Sequence, residues 1–316
     1  MNNHLAIIIP AYKTTYLHET LQSISSQTCK EFTLYIGDDA SPNNIYEIVK
    51  EFERDINIVY KRFDGNLGGL DLIAHWNRCI EMSVDEEWIW LFSDDDIMAA
   101  NCVEKFRKYL ESGGESQLLH FNTDIIDGKG KKYADSKPFP LKMSSSDFFE
   151  RRMSGEIFSF VVEYIFTRKL YLGEGKFEKF DLAWCSDDAT WVKFAKKTGI
   201  STMDNNALVY WRYSGENISS LNIDESILFR KLNAKAAYLN WAIDFFKNNK
   251  ETIHVNIINK VKWILFDLNQ VSYLPFTTRC QIAYKYASMT GNFINGLLGV
   301  LYISYSQIKH WNKKRL

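Results

Sequence analysis

Short continuous apolar runs alternate, along the first half of the chain, with stretches in which apolar residues recur every three or four positions. The first run covers 5–9 and ends in Pro10-Ala11-Tyr12, after which Leu17, Leu21 and Ile24 stand at helical spacing. Short runs predict strands and the longer period predicts helices, so the order is strand, loop, helix. A second run over 32–36 ends in Gly37-Asp38-Asp39-Ala40-Ser41-Pro42. There Ser41 as N-cap and Pro42 at the first helical position predict the next helix. A third strand over 56–61 leads through Asp64-Gly65-Asn66-Leu67-Gly68-Gly69 to a helix near 70–82, and a fourth strand covers 88–92. Such alternation implies a mainly parallel sheet with right-handed crossovers.

A helix near 100–112 and a strand near 117–123 continue the pattern as far as the turn at Asp127-Gly128-Lys129-Gly130. Regularity then weakens. The chain predicts a helix over 146–153, an apolar stretch over 158–167, a helix from Ser186 or Asp187 to Lys197, and strands near 200–203 and 207–213. From about 224 only helical patterning remains, broken near Asn248-Asn249, Pro275 and Gly291. The expected division is an α/β body over 1–225 and a helical segment over 226–316.

Charge sharpens that division. Residues 226–316 carry 13 Lys or Arg against 3 Asp or Glu, which leaves residues 1–225 with 25 against 36. An acidic body with a basic, aromatic tail points to an anionic partner reached by the tail, with lipid head groups and nucleic acid as the two candidates. Within the tail, Ile294, Leu297, Leu298, Leu301, Tyr302, Tyr305 and Ile308 fall at three- and four-residue intervals ahead of Lys309, Lys313, Lys314 and Arg315. The run is shorter and more interrupted than the about 18–20 apolar residues a membrane span needs. It is either an interfacial helix or one packed on the protein. An apolar fraction of 46% excludes disorder. Five widely spaced Cys without a Cys-x-x-Cys pair support neither a disulfide framework nor a zinc site and fit a reducing cytoplasm. The opening residues carry no basic segment or cleavage site, so no secretory signal is expected.

The chemistry concentrates at Phe92-Ser93-Asp94-Asp95-Asp96, directly after the apolar run 88–91. Three adjacent carboxylates repel one another unless a cation or solvent relieves them. At the carboxyl end of a sheet strand, where open α/β folds bind ligands, they mark a divalent-cation and diphosphate site, and hard oxygen donors select Mg²⁺ or Mn²⁺. A solvated, helix-capping turn is the competing reading of the triplet alone. What favours the site is convergence: the Pro-Ala-Tyr turn and Asp38-Asp39 end strands one and two at the same edge. There Tyr12 is placed to stack on a nucleobase, and Asp38 or Asp39 to accept from a base N–H or a ribose hydroxyl. The six His show no paired metal spacing, and no Gly-x-Ser-x-Gly, Walker or Rossmann glycine motif is present.

Taken in order, these segments resemble the family-2 glycosyltransferases of the GT-A fold. Residues 7–12 look like that family's opening strand, Asp38-Asp39-Ala40-Ser41 like its nucleoside-binding turn, and Asn66-Leu67-Gly68 like its asparagine-glycine loop. Ser93-Asp94-Asp95 stands where the family has its metal-binding Asp-x-Asp motif. Trp184-Cys185-Ser186-Asp187-Asp188 is similar to its acceptor-side Glu-Asp element, whose second acid serves as catalytic base. The likeness covers about residues 4–220. It implies a GT-A sheet flanked by helices, with nucleotide-sugar contacts from Pro10, Ala11, Tyr12, Asp38, Asp39, Asn66, Gly68, Asp94 and Asp95. It also implies a divalent cation, Mn²⁺ or Mg²⁺, on Asp95, with Asp94 on ribose or metal. The chain departs from the pattern at Ser93, at Trp76, which replaces the Arg often found before Asn77, and at Ser214, where the family frequently carries a metal-binding His.

The implied activity is metal-dependent, inverting transfer of a hexosyl or N-acetylhexosaminyl group. The expected donor is a uridine diphosphate sugar, and the expected acceptor a hydroxyl of a surface glycan or lipid-linked oligosaccharide. Asp188 is the expected general base, at the start of a helix beside Asp187, where a like charge raises a pKa and the helix amino end lowers it. Trp184, Asp187 and Arg212 are expected on the acceptor side, Arg212 pairing with a phosphate; Trp184 and Trp211 either stack on a sugar or belong to the core. These expectations place the chain in polysaccharide biosynthesis at the cytoplasmic face of the plasma membrane, touched peripherally by the basic tail, with no nucleic-acid partner. Two other readings compete. A non-catalytic nucleotide-sugar or glycan-binding module is favoured by Ser93 and Ser214, whereas a sugar-phosphate nucleotidyltransferase lacks its glycine-rich, basic amino-terminal loop.

Overall fold

Three central strands buried on both faces set the frame of the sheet. In the computed structural model, residues 4–134, 136–203, 208–215 and 224–313 are described. In chain order the first elements are β1 (Leu5–Ala11), α1 (Leu17–Ser25), β2 (Phe32–Asp38), α2 (Ile45–Val49), β3 (Ile58–Arg62), α3 (Leu72–Ile80) and β4 (Trp88–Leu91). β1 pairs in parallel with β2 and with β4, and β2 in parallel with β3. Leu5, Ile7, Ile8, Ile9, Trp90 and Leu91 expose nothing to solvent, as expected of strands covered by helices on both faces.

The chain continues through β5 (Ile97–Met98), α4 (Cys102–Glu111), β6 (Leu118–His120), β7 (Asn122–Asp127), β8 (Lys132–Ala134), β9 (Lys142–Met143), α5 (Ser145–Ser154), β10 (Tyr164–Thr167), α6 (Arg168–Gly173), α7 (Ser186–Thr198), β11 (Ile200–Thr202) and β12 (Leu208–Tyr213). The large sheet has the order β3-β2-β1-β4-β10-β6-β11-β9, with β10 and β9 antiparallel to their neighbours. A second sheet has the order β5-β12-β7-β8. The apolar run expected near 117–123 serves both sheets, because the chain breaks at Phe121 between β6 and β7. This is the predicted α/β architecture, a largely parallel central sheet flanked by helices and followed by C-terminal helices.

Two compact units make up the chain. The first comprises Met1–Ser145, Ile157–Lys179 and Thr190–Leu221; the second comprises Ser146–Glu156, Phe180–Ala189 and Asn222–Leu316. The helices of the second unit are α8 (Glu225–Asn248), α9 (Ile257–Ile264), α10 (Phe266–Gln270), α11 (Phe276–Ser288) and α12 (Phe293–Lys313). Asp224 caps α8 by accepting from the Ile227 amide at 2.8 Å.

One local expectation fails for a clear reason. Ser41 and Pro42 do not start the second helix; α2 begins at Ile45 with Asn44 before it. The Asp38 carboxylate takes the Ser41 amide at 2.8 Å, and the Ser41 hydroxyl donates to the Tyr12 carbonyl at 2.6 Å. Ser41 thus ties two strand-end turns together, and Ala40 accommodates this at a φ of 53°.

Gly37 is the tightest point of this edge, since a Cβ there would lie 2.4 Å from Cys79 Sγ and 3.0 Å from the Phe63 ring. Gly37→Val should therefore lower unfolding free energy by about 1–3 kcal/mol through overpacking, measured by urea denaturation.

Candidate active site

Strand termination in the first unit gathers the predicted residues at one edge. β1, β2 and β4 run side by side and end at Ala11, Asp38 and Leu91, so Tyr12, Asp39 and the acidic triplet follow at neighbouring positions. The Asp94 carboxylate accepts from the amides of Tyr12 at 2.9 Å and Lys13 at 2.8 Å, which fixes it against the loop after β1. The Lys13 ammonium lies 3.0 Å from Asp95 Oδ2 and 3.6 Å from Asp94 Oδ1. Asp95 also accepts from the Ser93 hydroxyl at 3.0 Å, and Ser214 Oγ stands 3.5 Å from it. Asp96 turns inward instead, taking the Ser93 hydroxyl at 2.6 Å and the Arg212 amide at 2.6 Å.

The electrostatics follow from crowding charge in a dry place. Burial raises the Asp94 pKa, with Lys13 opposing the rise and Asp95 adding to it. Burial and then the Asp95 charge push Asp96 well above the carboxylate range. Burial works against the Lys13 charge, but Asp94 and then Asp95 outweigh it and hold the ammonium above its ordinary range. Lys13 escaped the sequence analysis because a single Lys after a strand carries no spacing signal.

That ammonium also tests whether the site suits a divalent cation. Two hard carboxylates on adjacent residues converge on one positive charge, which is the donor chemistry Mn²⁺ and Mg²⁺ require. Among the described residues no group of three or more His, Cys, Asp or Glu forms a complete metal cage. Asp94 and Asp95 are the residues here that could hold such a cation.

The second turn binds its own acids tightly. Asp38 is fully buried and accepts from Tyr60 Oη at 2.6 Å and Arg62 Nη1 at 2.8 Å as well as from Ser41. Asp39 accepts from the Leu67 amide at 2.7 Å and the Gly68 amide at 2.8 Å, and pairs with Arg78. The asparagine-glycine loop is thus fastened to Asp39, with Asn66 accepting from the Gly69 amide at 2.8 Å. Trp76 packs edge-on to Phe177, and Asn77 accepts from Tyr171 at 2.7 Å. Arg78, one residue after Asn77, is the cation paired with Asp39 and lies 3.9 Å over Phe63. Its Nε donates to His75 Nδ1 at 3.0 Å, and burial lowers the His75 pKa to about 4, leaving the ring neutral. The Tyr12 ring is partly exposed at the same edge. Pro10 and Ala11 form the last residues of β1.

Arg212, expected on the acceptor side, is fully buried inside the first unit. Its guanidinium donates to the Asp95 carbonyl at 2.8 Å and to Glu19 at 2.6 Å and lies 4.3 Å over Tyr16, so it props the acidic turn from beneath. Trp211 stacks on Phe160 with ring centroids 4.3 Å apart. Residues 216–219, shortly after Ser214, lie outside the described residues.

In the second unit the segment Phe180–Ala189 carries three non-glycine residues in the left-handed region, Leu182, Ala183 and Cys185, at φ 59°, 54° and 67°. Strain of this kind collects at functional sites. It sets Asp187 and Asp188 in the first turn of α7. Arg152 grips Asp188 in a two-pronged pair, Nε to Oδ1 and Nη2 to Oδ2, both at 2.8 Å. Burial works against the Arg152 charge, but Asp188 outweighs it and holds the guanidinium above its ordinary range. Asp187 behaves differently: burial and then the Asp188 charge push its pKa up to about 7. Trp184 carries the Lys231 ammonium 4.0 Å over its ring.

Residues 6–172 match the family model described as glycosyl transferase family 2, and the chain belongs to that family. It is 31% identical, over 144 residues, to an uncharacterized glycosyltransferase of Methanocaldococcus jannaschii, a match that covers 44% of this chain and 48% of that protein. The chain thus spans about half the length of this curated relative. Among solved structures it is similar to TarS residues 1–349 of S. aureus in complex with UDP-GlcNAc, with a TM-score of 0.67, 15% identity, and 96% of this chain and 88% of that one covered. It is also similar to the mannosyltransferase PcManGT of Pyrobaculum calidifontis in complex with GDP-Man and Mn²⁺, with a TM-score of 0.52, 13% identity, and 96% and 87% covered.

Two measurements probe these contacts. Arg212→Met removes the prop beneath the acidic turn and should destabilise the fold by about 3 kcal/mol, read by thermal or urea unfolding. Asp187 has a folded-state pKa of about 7 against an ordinary 3.8. The folded state therefore holds the extra proton, and the stability this group contributes, full below about pH 4, is lost as pH rises to 7. Asp187→Asn cannot ionise, so its melting temperature should rise relative to the native chain between pH 4.5 and pH 8.

Proposed function

We propose that this protein is a metal-dependent, inverting glycosyltransferase that takes its sugar from a nucleotide-diphosphate donor, a uridine diphosphate sugar, and delivers it to a hydroxyl of a surface glycan or lipid-linked oligosaccharide. The observation that carries the reading is the convergence of Asp94 and Asp95 on a single positive charge beside Tyr12, one strand from Asp38 and Asp39. Membership of the family and the likeness to nucleotide-sugar-bound TarS and PcManGT support it.

Each residue has a task in this scheme. Tyr12 offers its ring to the base, and the Asp39-fastened loop at Asn66 and Gly68 lines the nucleoside side. A divalent cation held by Asp95 and Asp94 would screen the charge that builds on the departing diphosphate. The Lys13 ammonium, 3.0 Å from Asp95, would yield that position to the cation. Asp188 accepts the proton of the attacking hydroxyl as the new glycosidic bond forms and the bond from the anomeric carbon to diphosphate oxygen breaks. A single displacement of this kind inverts the anomeric centre. Arg152 is a positioning residue that aims the Asp188 carboxylate. The reaction belongs to polysaccharide biosynthesis at the cytoplasmic face of the plasma membrane.

With Mn²⁺ and a panel of nucleotide sugars, the purified chain should release nucleoside diphosphate slowly from one of them. Asp95→Asn should lower that turnover by about 10²–10³-fold. Asp188→Asn should abolish transfer to acceptor while donor binding, followed by thermal shift, stays near native; undiminished transfer removes Asp188 from the base role. Release of pyrophosphate from a nucleoside triphosphate would instead indicate a nucleotidyltransferase, and donor binding without turnover a binding module.

A further inference from the structure

The last helix of the protein wears its large apolar side chains on the outside. α12 packs antiparallel on α11 through small and polar residues: a Cβ on Gly299 would meet the Ala283 carbonyl at 2.8 Å, one on Gly296 would meet the Tyr284 ring, and Gln307 accepts from Arg279 at 2.8 Å. Asn295, Ile303 and Ser306 complete this buried side. On the opposite side Ile294, Leu297, Leu301, Tyr305 and Ile308, spaced by three or four residues on one helix face, are between 48 and 66% exposed. A helix docked on a water-soluble body buries the larger apolar face and exposes the smaller polar one. Here that order is reversed.

The reversal is not a membrane span. Among the described residues no helix is long and apolar enough to cross a bilayer. From Ile294 to Ile308 the apolar face runs for about 21 Å at the helical rise, parallel to a surface rather than through it. The sequence here carries one sign of charge, since residues 268–316 contain six Lys or Arg and no Asp or Glu. Lys285 on α11 and Lys309 on α12 are both exposed. A twofold contact of this face with its own copy would press like charges together, while an acidic lipid surface would neutralise them.

We propose that the α11–α12 hairpin is an interfacial anchor that lays the Ile294–Ile308 face among the acyl chains of an anionic phospholipid bilayer, with Lys285 and Lys309 on the head groups. It extends the proposed reaction at a membrane face by naming the surface that holds the enzyme there. The interaction is read with neither donor nor acceptor, so its failure and the failure of glycosyl transfer are separate results.

Flotation of the full chain with vesicles of phosphatidylglycerol and phosphatidylcholine tests it. The native chain should float with mixed vesicles, remain in solution with pure phosphatidylcholine, and run as a monomer in light scattering without lipid. Leu297→Glu with Leu301→Glu, both at exposed positions, should lower the partition coefficient at least about tenfold while leaving the melting temperature and nucleoside-diphosphate release unchanged. Lys285→Gln with Lys309→Gln keeps the apolar face and should weaken binding about fivefold per charge. The proposal is overturned if the native chain stays in solution with anionic vesicles, if the Glu variant floats like the native chain, or if the native chain is a dimer that the Glu variant dissociates.

Discussion

Like charge held out of water at the end of β4 constrains almost everything around it. Asp94, Asp95 and Asp96 are all buried and adjacent, and a dry cluster of three carboxylates is tolerated only where each finds its own relief. The structure divides them. Asp94 is taken by two backbone amides, Asp95 faces the Lys13 ammonium, and Asp96 leans on Ser93 and the Arg212 amide. Each partner comes from a different element, so the loop after β1, the turn after β4 and strand β12 must be in place together. The same arrangement leaves Asp94 and Asp95 directed at one point, which suits them to hold a cation.

The alternation of strands and helices was legible because central strands of a parallel sheet are buried on both faces and read as continuous apolar runs. The site was legible where acids and glycines end those strands. What escaped was everything fixed by distant partners. Arg152 and Asp188 lie 36 positions apart and meet in a two-pronged pair. Arg212 and Glu19 are 193 positions apart. Arg212 was expected to face a phosphate because an arginine in a strand gives no sign of which side it faces, and its buried side proved to be the underside of the acidic turn. Ser41 illustrates the opposite error, since a residue suited to cap a helix is equally suited to bridge two loops, and the Tyr12 carbonyl won it.

In the second unit, order is imposed on a segment that resists it. Three non-glycine residues in the left-handed region precede α7, and side-chain contacts compensate: Arg230 holds Asp181 at 2.6 and 2.8 Å, and Ser186 accepts from the Phe180 amide at 3.0 Å. Two neighbouring acids emerge from this with different characters. Asp188 is bound to a cation along both oxygens, whereas Asp187 keeps its proton almost to neutrality. Burial and the neighbouring Asp188 raise one acid of the pair while an arginine is turned to the other, so that adjacent carboxyl groups differ in character.

The way Tyr12 meets Asp94 has a bearing on how such sites diversify. The carboxylate is held by the amide of residue 12, not by its ring, and the ring stands apart at the open edge. Any residue other than proline supplies that amide. The side chain at 12 can therefore be exchanged while the anchoring of Asp94 is kept, so that what the ring meets and how the charge is held are separable on one turn.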